Sequence, residues 1–252
     1  MRISVITPTW RRADLLMTRC IPSVFGQTWP DIEHVVVSDG PDRALAMVLA
    51  GDLWRRPRKT RPLVFDQLSQ HLEGAVDYGS RARNRGVQLA TGDYIAYLDD
   101  DNAYRPNHLQ LLAEALEKSG ADFGYSRMDT HPNNLVIGSP TPMYGGIDTS
   151  LLMHRRGVPE QFGWWPLPAE IAGDKHAPDW GVVARWLDQG ATWVHVPEVT
   201  VDYYFPSTTV QMAVDVSGLR NGHPWPRRGT AVDLPPAEAA DYLNSGIAEP
   251  AP

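Results

Sequence analysis

The stretch that decides the fold is Tyr94-Ile95-Ala96-Tyr97-Leu98-Asp99-Asp100-Asp101-Asn102. Five apolar, aromatic or small residues run directly into three carboxylates, which is the pattern of a buried strand that ends at a polar edge. The acids cannot follow the strand into the core, because burying an unpaired carboxylate costs too much free energy. We therefore expect them at the carboxyl end of the strand, where α/β sheets open their ligand crevice.

Three adjacent carboxylates also predict a cation. Like charges this close repel one another unless a positive charge offsets them. Oxygen ligands suit hard divalent ions such as Mg²⁺ and Mn²⁺. The sequence thus indicates a divalent metal site at Asp99, Asp100 and Asp101, which we call the acid triad. The alternative is an ordinary polar turn that leads into a helix.

The composition is that of a soluble globular protein. The chain has 252 residues, a formal net charge of -7 and a single cysteine, Cys20. The negative charge argues against general nucleic-acid binding, and one cysteine excludes a disulfide within the chain. The first residues predict a strand rather than a signal peptide, and no apolar run reaches the roughly 18 residues of a membrane span. We expect a cytoplasmic protein, while its oligomeric state stays open.

Strand-like and helix-like segments alternate through the first half of the chain. This alternation predicts an α/β fold with a mostly parallel central sheet. Pro8 is expected to end the first strand, because proline has no N–H to donate to the ladder. The predicted strands are 2–7, 32–38, 63–65, 94–98 and 122–128, and the predicted helices are 13–25, 80–89 and 106–119.

The second half is less regular. Residues 129–178 are rich in proline, glycine and aromatic residues and predict loops and short strands. A helix is expected over 179–187, followed by two β-type runs at 192–196 and 199–204. From residue 218 the chain holds six prolines in 35 residues, which is typical of an irregular arm. We therefore divide the chain into a domain of residues 1–210 and an arm or partly disordered tail of residues 211–252.

Five segments together resemble the nucleotide-binding half of family 2 glycosyltransferases. They are VITPTWRR (5–12), QTWP (27–30), VSDG (37–40), ARNRG (82–86) and ATGDYIAYLDDD (90–101). The resemblance covers residues 1–117 well and 175–205 loosely. It implies the GT-A fold, a Rossmann-like α/β domain, with 1–117 as the nucleotide-sugar half and 118–210 as the acceptor half.

The resemblance also implies a donor site. Asp39 is expected to accept a hydrogen bond from the imide N–H of the base, which fits uracil, although thymine presents the same edge. Asp101 and Asp99 resemble the metal ligands of the DxD motif, so Mn²⁺ or Mg²⁺ is the implied cofactor. The nucleotide-sugar residues are Thr7, Pro8, Thr9, Arg11, Asp39, Arg83, Asp99 and Asp100. Strand termination at Thr7 and Pro8, and an Asx-turn at Asp39, are the competing interpretations.

A base is also implied, and Asp179 is the candidate. The family pattern there is Glu-Asp before a helix, and here Pro178 replaces the glutamate. Asp179 could instead cap the helix that follows it. Glu170 and Asp174 are the reserve candidates. For the acceptor, we single out three aromatic residues that could stack on sugar faces, although core packing is the commoner role: Trp164, Trp165 and Trp180.

The resemblance therefore implies a metal-dependent, inverting glycosyltransferase of hexosyltransferase type. The donor would be a UDP-sugar or another nucleotide sugar, and the acceptor a hydroxyl group on a glycan or small molecule. One alternative is a sugar-nucleotide nucleotidyltransferase, although Pro8-Thr9-Trp10-Arg11-Arg12 lacks the glycine-rich loop of that class. The other alternative is a carbohydrate-binding protein that kept the fold and lost turnover.

Overall fold

The computed structural model describes residues 1–50, 62–72, 78–167, 170, 178–204 and 248–250, which build one mixed sheet with helices packed against it. Its strands are β1 (Ile3–Thr9), β2 (Ile32–Ser38), β3 (Leu63–Gln67), β4 (Tyr94–Tyr97), β5 (Ala103–Tyr104), β6 (Phe123–His131), β7 (Leu135–Ile137), β8 (Leu152–Arg155), β9 (Trp193–Tyr204) and β10 (Ala248–Pro250). Its helices are α1 (Ala13–Leu15), α2 (Ile21–Phe25), α3 (Arg43–Val48), α4 (Ser80–Leu89), α5 (His108–Ser119), α6 (Val158–Phe162) and α7 (Pro178–Asp188).

The parallel part of the sheet has the order β3-β2-β1-β4. Beyond β4 the order continues as β8-β6-β7-β10, and these neighbours are antiparallel. β9 runs parallel to β6 and antiparallel to β5. The predicted α/β class is confirmed, but the sheet is mixed, because parallel pairing dominates only in its first half. The carboxyl ends of β1, β2 and β4 meet at one edge.

β1 does not stop at Pro8, contrary to the prediction. It pairs with β2 as far as Thr9, whose carbonyl accepts from the Asp39 N–H at 2.9 Å. On the other side of β1, the Ile6 carbonyl accepts from the Leu98 N–H. The backbone N–H and C=O groups of a strand alternate in direction, so those of Ile6 and Pro8 point toward β4 and those of Thr7 and Thr9 point toward β2. The nitrogen of Pro8 points past the end of the β4 ladder, where no donor is required.

The first predicted helix is continuous but not purely α. One π-helical turn, Leu16–Cys20, joins α1 to α2. Leu16, Cys20 and Val24 are buried, as their spacing indicates. The helix ends at Gly26, whose N–H donates to the Pro22 carbonyl at 2.9 Å.

The second half is more regular than the sequence indicates. The segment 129–178 contains β7, β8 and α6, none of which the sequence analysis predicts individually. The two β-type runs near Pro197 form one strand, β9, whose pairing with β6 shifts register around Arg127. The proposed arm 211–252 lies outside the described residues except for β10, which pairs with β7. Within the described ranges, no helix is long and apolar enough for a bilayer span.

Helix α4 approaches the sheet closely because of one glycine. A Cβ at Gly86 would collide with the side chain of Ile6 on β1. Because Gly86 lets the helix lie directly on the strand, the first turns of α4 reach the carboxyl edge of β1 and β4. This packing determines where the arginines of α4 point.

Candidate functional site

The acid triad is separated from the end of β4 by one residue, Leu98, and lies at the sheet edge predicted from the sequence. Leu98 still bonds to β1, with its N–H 3.1 Å from the Ile6 carbonyl. Asn102, at the end of the loop, accepts a hydrogen bond from the Tyr204 N–H at 3.0 Å, and its amide lies 3.4 Å from the hydroxyl of Ser150. These contacts fasten the loop to β9 and to the turn before β8.

Asp100 is the most deeply buried member of the triad, with 4% of its surface exposed. The Thr9 hydroxyl donates to its Oδ2 at 2.7 Å, and Arg12 Nη1 donates to its Oδ1 at 3.0 Å. Burial raises the pKa of Asp100 to about 6, although Arg12 and the Thr9 hydroxyl both act to lower it. This carboxylate therefore lacks sufficient compensation from the protein alone.

Asp101 shares the same arginine. Arg12 Nη1 lies 2.6 Å from Asp101 Oδ2, and Arg19 donates to the Asp101 carbonyl at 2.5 Å. Burial, followed by the charge of Asp99, raises the pKa of the Asp101 carboxyl above its ordinary value. A single guanidinium thus serves two carboxylates.

Asp99 pairs with a different arginine, Arg83 of α4. The two side chains meet at 2.6 Å, and Arg83 also donates to the Tyr78 carbonyl at 2.6 Å. The guanidinium lies 4.9 Å from the centre of the Trp165 ring, and only 4% of Arg83 is exposed. Arg83 is therefore held rigidly against the triad.

The three arginines at the start of α4 diverge, as helical geometry requires. Arg83 points to Asp99, whereas Arg85 pairs with Asp66 at 2.6 Å. Arg81 lies 3.6 Å from Asp39. Arg85 thus pairs away from the acid triad.

Asp39 directly follows β2 and makes close contacts with His71. Its Oδ2 and its carbonyl both accept from His71 Nδ1, at 2.9 and 3.0 Å. The His71 ring stacks on Trp10 with 4.4 Å between ring centres and 13° between planes. Gly40 packs closely against these rings, since a Cβ there would lie 2.7 Å from the Trp10 ring. The sequence analysis did not identify His71, because its partner is 32 positions away.

The first-strand residues divide between core and edge. The Thr7 hydroxyl is fully buried and hydrogen bonded to His34 at 2.9 Å, so it does not reach the crevice. The Thr9 hydroxyl reaches the triad instead. The Arg11 guanidinium lies over the Trp10 ring at 4.8 Å, and Pro8 packs near the left-handed Gly79.

Asp179 lies in the first turn of α7, one residue inside the helix. Its Oδ1 accepts from the Trp180 N–H at 2.8 Å, which is a local bond rather than the usual cap to a later residue. Burial raises the pKa of the Asp179 carboxyl, the nearby charge of Asp99 also raises it, and Arg83 opposes this shift. Arg83 therefore links the triad electrostatically to Asp179.

Asp148 is a further acid near Asp99 and Asp179, and the sequence analysis did not identify it. It precedes the short helical turn Thr149–Leu151, and its Oδ1 accepts from the Ser150 N–H at 2.8 Å. Burial raises the pKa of Asp148, and the charges of Asp99 and Asp179 raise it further. No local pattern marks Asp148, because chain folding alone brings it near these acids.

The remaining candidates differ in exposure. Glu170 is exposed and pairs with Arg185 at 2.8 Å, while Asp174 lies outside the described residues. Trp165 is 1% exposed and packs edge-on against Tyr97, so its ring supports Arg83 instead of offering a free face. Trp164 and Trp180 are half-buried against the core.

A second group of titratable residues lies across β6 and β9. Potential ligand atoms of Asp129, His131 and Asp202 all lie within 4.8 Å of one another. Arg105 bonds to both carboxylates, at 3.1 Å to Asp129 and 2.9 Å to Asp202. We call these four residues the Arg105 cluster. The guanidinium of Arg105 already pairs with both carboxylates, so the close spacing of the ligand atoms does not by itself make this cluster a metal centre.

The ligand atoms that the acid triad offers fit a hard divalent ion. Its three carboxylates offer only oxygen ligands, and burial raises the pKa of Asp100 and Asp101. Raised carboxyl pKa values indicate negative charge that the surrounding protein does not fully offset. Asp99 and Asp101 flank Asp100 and are more exposed than it is, with side-chain exposures of 27% and 18% against 6%.

Comparison with known proteins supports the fold. TarS of S. aureus in complex with UDP-GlcNAc has a TM-score of 0.64 at 18% identity, over 82% of this chain and 59% of that one. Mannosyltransferase PcManGT from Pyrobaculum calidifontis, in complex with GDP-Man and Mn²⁺, has a TM-score of 0.62 at 18% identity, over 82% and 57%. At this identity the likeness shows the GT-A fold and nothing more.

Sequence comparison gives the family. An uncharacterized glycosyltransferase of Nostoc sp. is 35% identical over 119 residues, 47% of this chain and 34% of the relative. Succinoglycan biosynthesis protein ExoW of Rhizobium meliloti is 28% identical over 123 residues, 48% and 36%. The matched part thus spans about a third of each of these relatives. Residues 4–168 match the profile of glycosyl transferase family 2, and the chain belongs to that family.

Proposed function

We propose that this protein is a metal-dependent, inverting glycosyltransferase that moves a sugar from a UDP-sugar to a hydroxyl acceptor. The observation that carries the proposal is the position of Arg83. It pairs with Asp99 at 2.6 Å, and its charge acts on the pKa of Asp179. One buried cation therefore acts on both a donor-side acid and the candidate base, which supports a single reaction centre.

The donor side is supported by complementary chemistry. Asp39 would accept from the imide N–H of uracil, next to the Trp10 and His71 rings. Asp99 and Asp101 would hold Mn²⁺ or Mg²⁺. When bound, the ion would offset the charge of the diphosphate, which this acidic protein otherwise repels. The nucleotide-sugar complexes of TarS and PcManGT support the same donor class.

Asp179 is the proposed base. It would take the proton of the acceptor hydroxyl as the oxygen attacks the anomeric carbon. The new C–O bond forms on the face opposite the diphosphate, whose bond to the sugar breaks with its electron pair. Burial raises the pKa of Asp179, and a raised pKa makes a carboxylate a better proton acceptor.

Calorimetry of UDP binding tests the donor proposal. We expect saturable binding in Mn²⁺ that largely disappears in EDTA. Without the ion, the negative charges of the diphosphate and of the acid triad repel each other. Equal UDP affinity with and without the ion would contradict the metal role. A thermal-shift screen of nucleotide sugars in Mn²⁺ then identifies the donor, since a ligand that binds the native state raises its Tm.

Replacement of the base tests catalysis. Asp179→Asn is expected to lower the rate of sugar transfer, or of UDP-sugar hydrolysis, by about 10²- to 10⁴-fold. Its UDP affinity is expected to stay within a few-fold of the wild type.

Pro178 is the specific feature that favours a second candidate, a carbohydrate-binding protein without turnover. Turnover by the wild type that disappears in Asp179→Asn would exclude that candidate.

A further inference from the structure

We propose that Arg12 is a built-in counter-cation of the acid triad, and that a divalent ion binds by displacing it. The proposal rests on the function proposed above. Arg12 Nη1 lies 3.0 Å from Asp100 Oδ1 and 2.6 Å from Asp101 Oδ2. One nitrogen thus contacts two carboxylates, and one of them, Asp101, is a residue that would hold the ion.

Arg12 is the exchangeable arginine of this region. Its side chain is 49% exposed, whereas that of Arg83 is 5% exposed. Arg83 is also held by the Tyr78 carbonyl and the Trp165 ring. Arg19 is held between the Asp101 carbonyl and the Tyr204 ring, 3.7 Å from its guanidinium. Arg12 can swing into solvent without breaking such contacts.

Charge balance gives the reason for exchange. A guanidinium carries one positive charge, and the two carboxylates that it bridges carry two negative charges when ionised. Asp100 is only 4% exposed, so solvent compensates it poorly. A divalent ion matches the charge better, and it would compete with Arg12, because two cations on the same carboxylate repel each other. We therefore expect Arg12 to leave Asp101 when the ion binds.

Direct Mn²⁺ binding without nucleotide tests the inference, with free Mn²⁺ measured by electron paramagnetic resonance. Arg12→Gln is expected to bind Mn²⁺ at least about tenfold more tightly than the wild type, because the competing cation is gone. Arg12→Lys keeps the charge and is expected to lie between the two. Arg2→Gln is the matched control, because it also removes one positive charge. Arg2 precedes β1 and pairs with Asp31 rather than with the acid triad.

The gain should depend on the triad. In an Asp101→Asn background, Arg12→Gln is expected to change Mn²⁺ affinity little, because one of the contested carboxylates is absent. Arg12→Ala checks that the effect does not depend on the glutamine. Unchanged or weaker Mn²⁺ binding in both Arg12→Gln and Arg12→Ala would overturn this inference alone. No Mn²⁺ binding by the wild type or by either variant would overturn it together with the metal role.

Discussion

The acid triad and the Arg105 cluster contain the same kinds of group but differ in their supports. Triad members lie on one loop after β4, and Arg12, half-exposed, bridges two of them. In the Arg105 cluster, Asp129 and Asp202 are direct neighbours across β6 and β9, where like charges destabilise a sheet. Arg105 bonds to both and removes that repulsion.

The comparison shows that closely spaced ligand atoms and uncompensated carboxylate charge are separate properties of a site. The Arg105 cluster has the closely spaced ligand atoms, but Arg105 already pairs with Asp129 Oδ2 and Asp202 Oδ1. The His131 ring also stacks on Tyr204 at 4.8 Å, which fixes the cluster within the sheet. In the triad, burial raises the pKa of Asp100 to about 6 although Arg12 and the Thr9 hydroxyl act to lower it. A strongly shifted carboxyl at the end of a strand is an indicator of a functional site.

The largest expected effect is on nucleotide binding. Asp101→Ala should weaken UDP binding in Mn²⁺ by about a thousandfold, or about 4 kcal/mol, because the ion loses a ligand. Asp202→Ala should leave UDP affinity unchanged and lower the Tm, because it breaks the cross-strand network. Calorimetry and thermal unfolding of both variants measure this. The reverse pattern would assign the metal to the Arg105 cluster.

The next effect concerns pH. Folding raises the pKa of Asp100 from 3.8 to about 6, so the folded state binds more protons than the unfolded state between these values. The free energy of unfolding should therefore fall as pH rises from about 4 to about 6, by up to about 3 kcal/mol from this group. Urea unfolding of the metal-free protein measures the slope. An equal slope in Asp100→Asn would contradict the assignment.

A smaller effect distinguishes the two arginines. Arg105→Gln should lower the free energy of unfolding by about 1–2 kcal/mol, reduced by its partial exposure, and Mn²⁺ should not restore it. Arg12→Gln should cost a similar amount that Mn²⁺ does restore, because the ion replaces the lost charge. Unfolding with and without Mn²⁺ compares them. Restoration of both variants, or of neither, would remove the proposed distinction.

The parallel half of the fold was predictable because its information is local. The apolar run into the triad marks β4, and the buried spacing of Leu16, Cys20 and Val24 marks the first helix. The prediction for Pro8 was wrong, because the face that a strand residue presents depends on where the neighbouring ladder ends. The GT-A fold and the family followed from motifs in this half.

The candidate site was less predictable because its contacts are distant in sequence. Arg12 meets Asp100 across 88 positions, and His71 meets Asp39 across 32. Asp148 becomes relevant only because the turn before β8 lies beside the triad loop, with Ser150 3.4 Å from the Asp99 N–H. The sequence also suggested an exposed role for Trp165, whose ring is instead buried beneath Arg83. Composition and periodicity carry no information about such pairs.

The smallest expected effect compares two histidines that each pair with an aspartate. His71 Nδ1 donates to Asp39, so His71→Ala should free that carboxylate to reorient and weaken UDP binding about three- to tenfold. His71→Asn, which places an amide nitrogen near the position of Nδ1, should recover most of the affinity. His131→Ala removes the matching partner of Asp202 and should not affect UDP binding. Calorimetry in Mn²⁺ measures all three variants. Equal losses in His71→Ala and His71→Asn would show that ring stacking on Trp10, and not orientation of Asp39, is what His71 contributes.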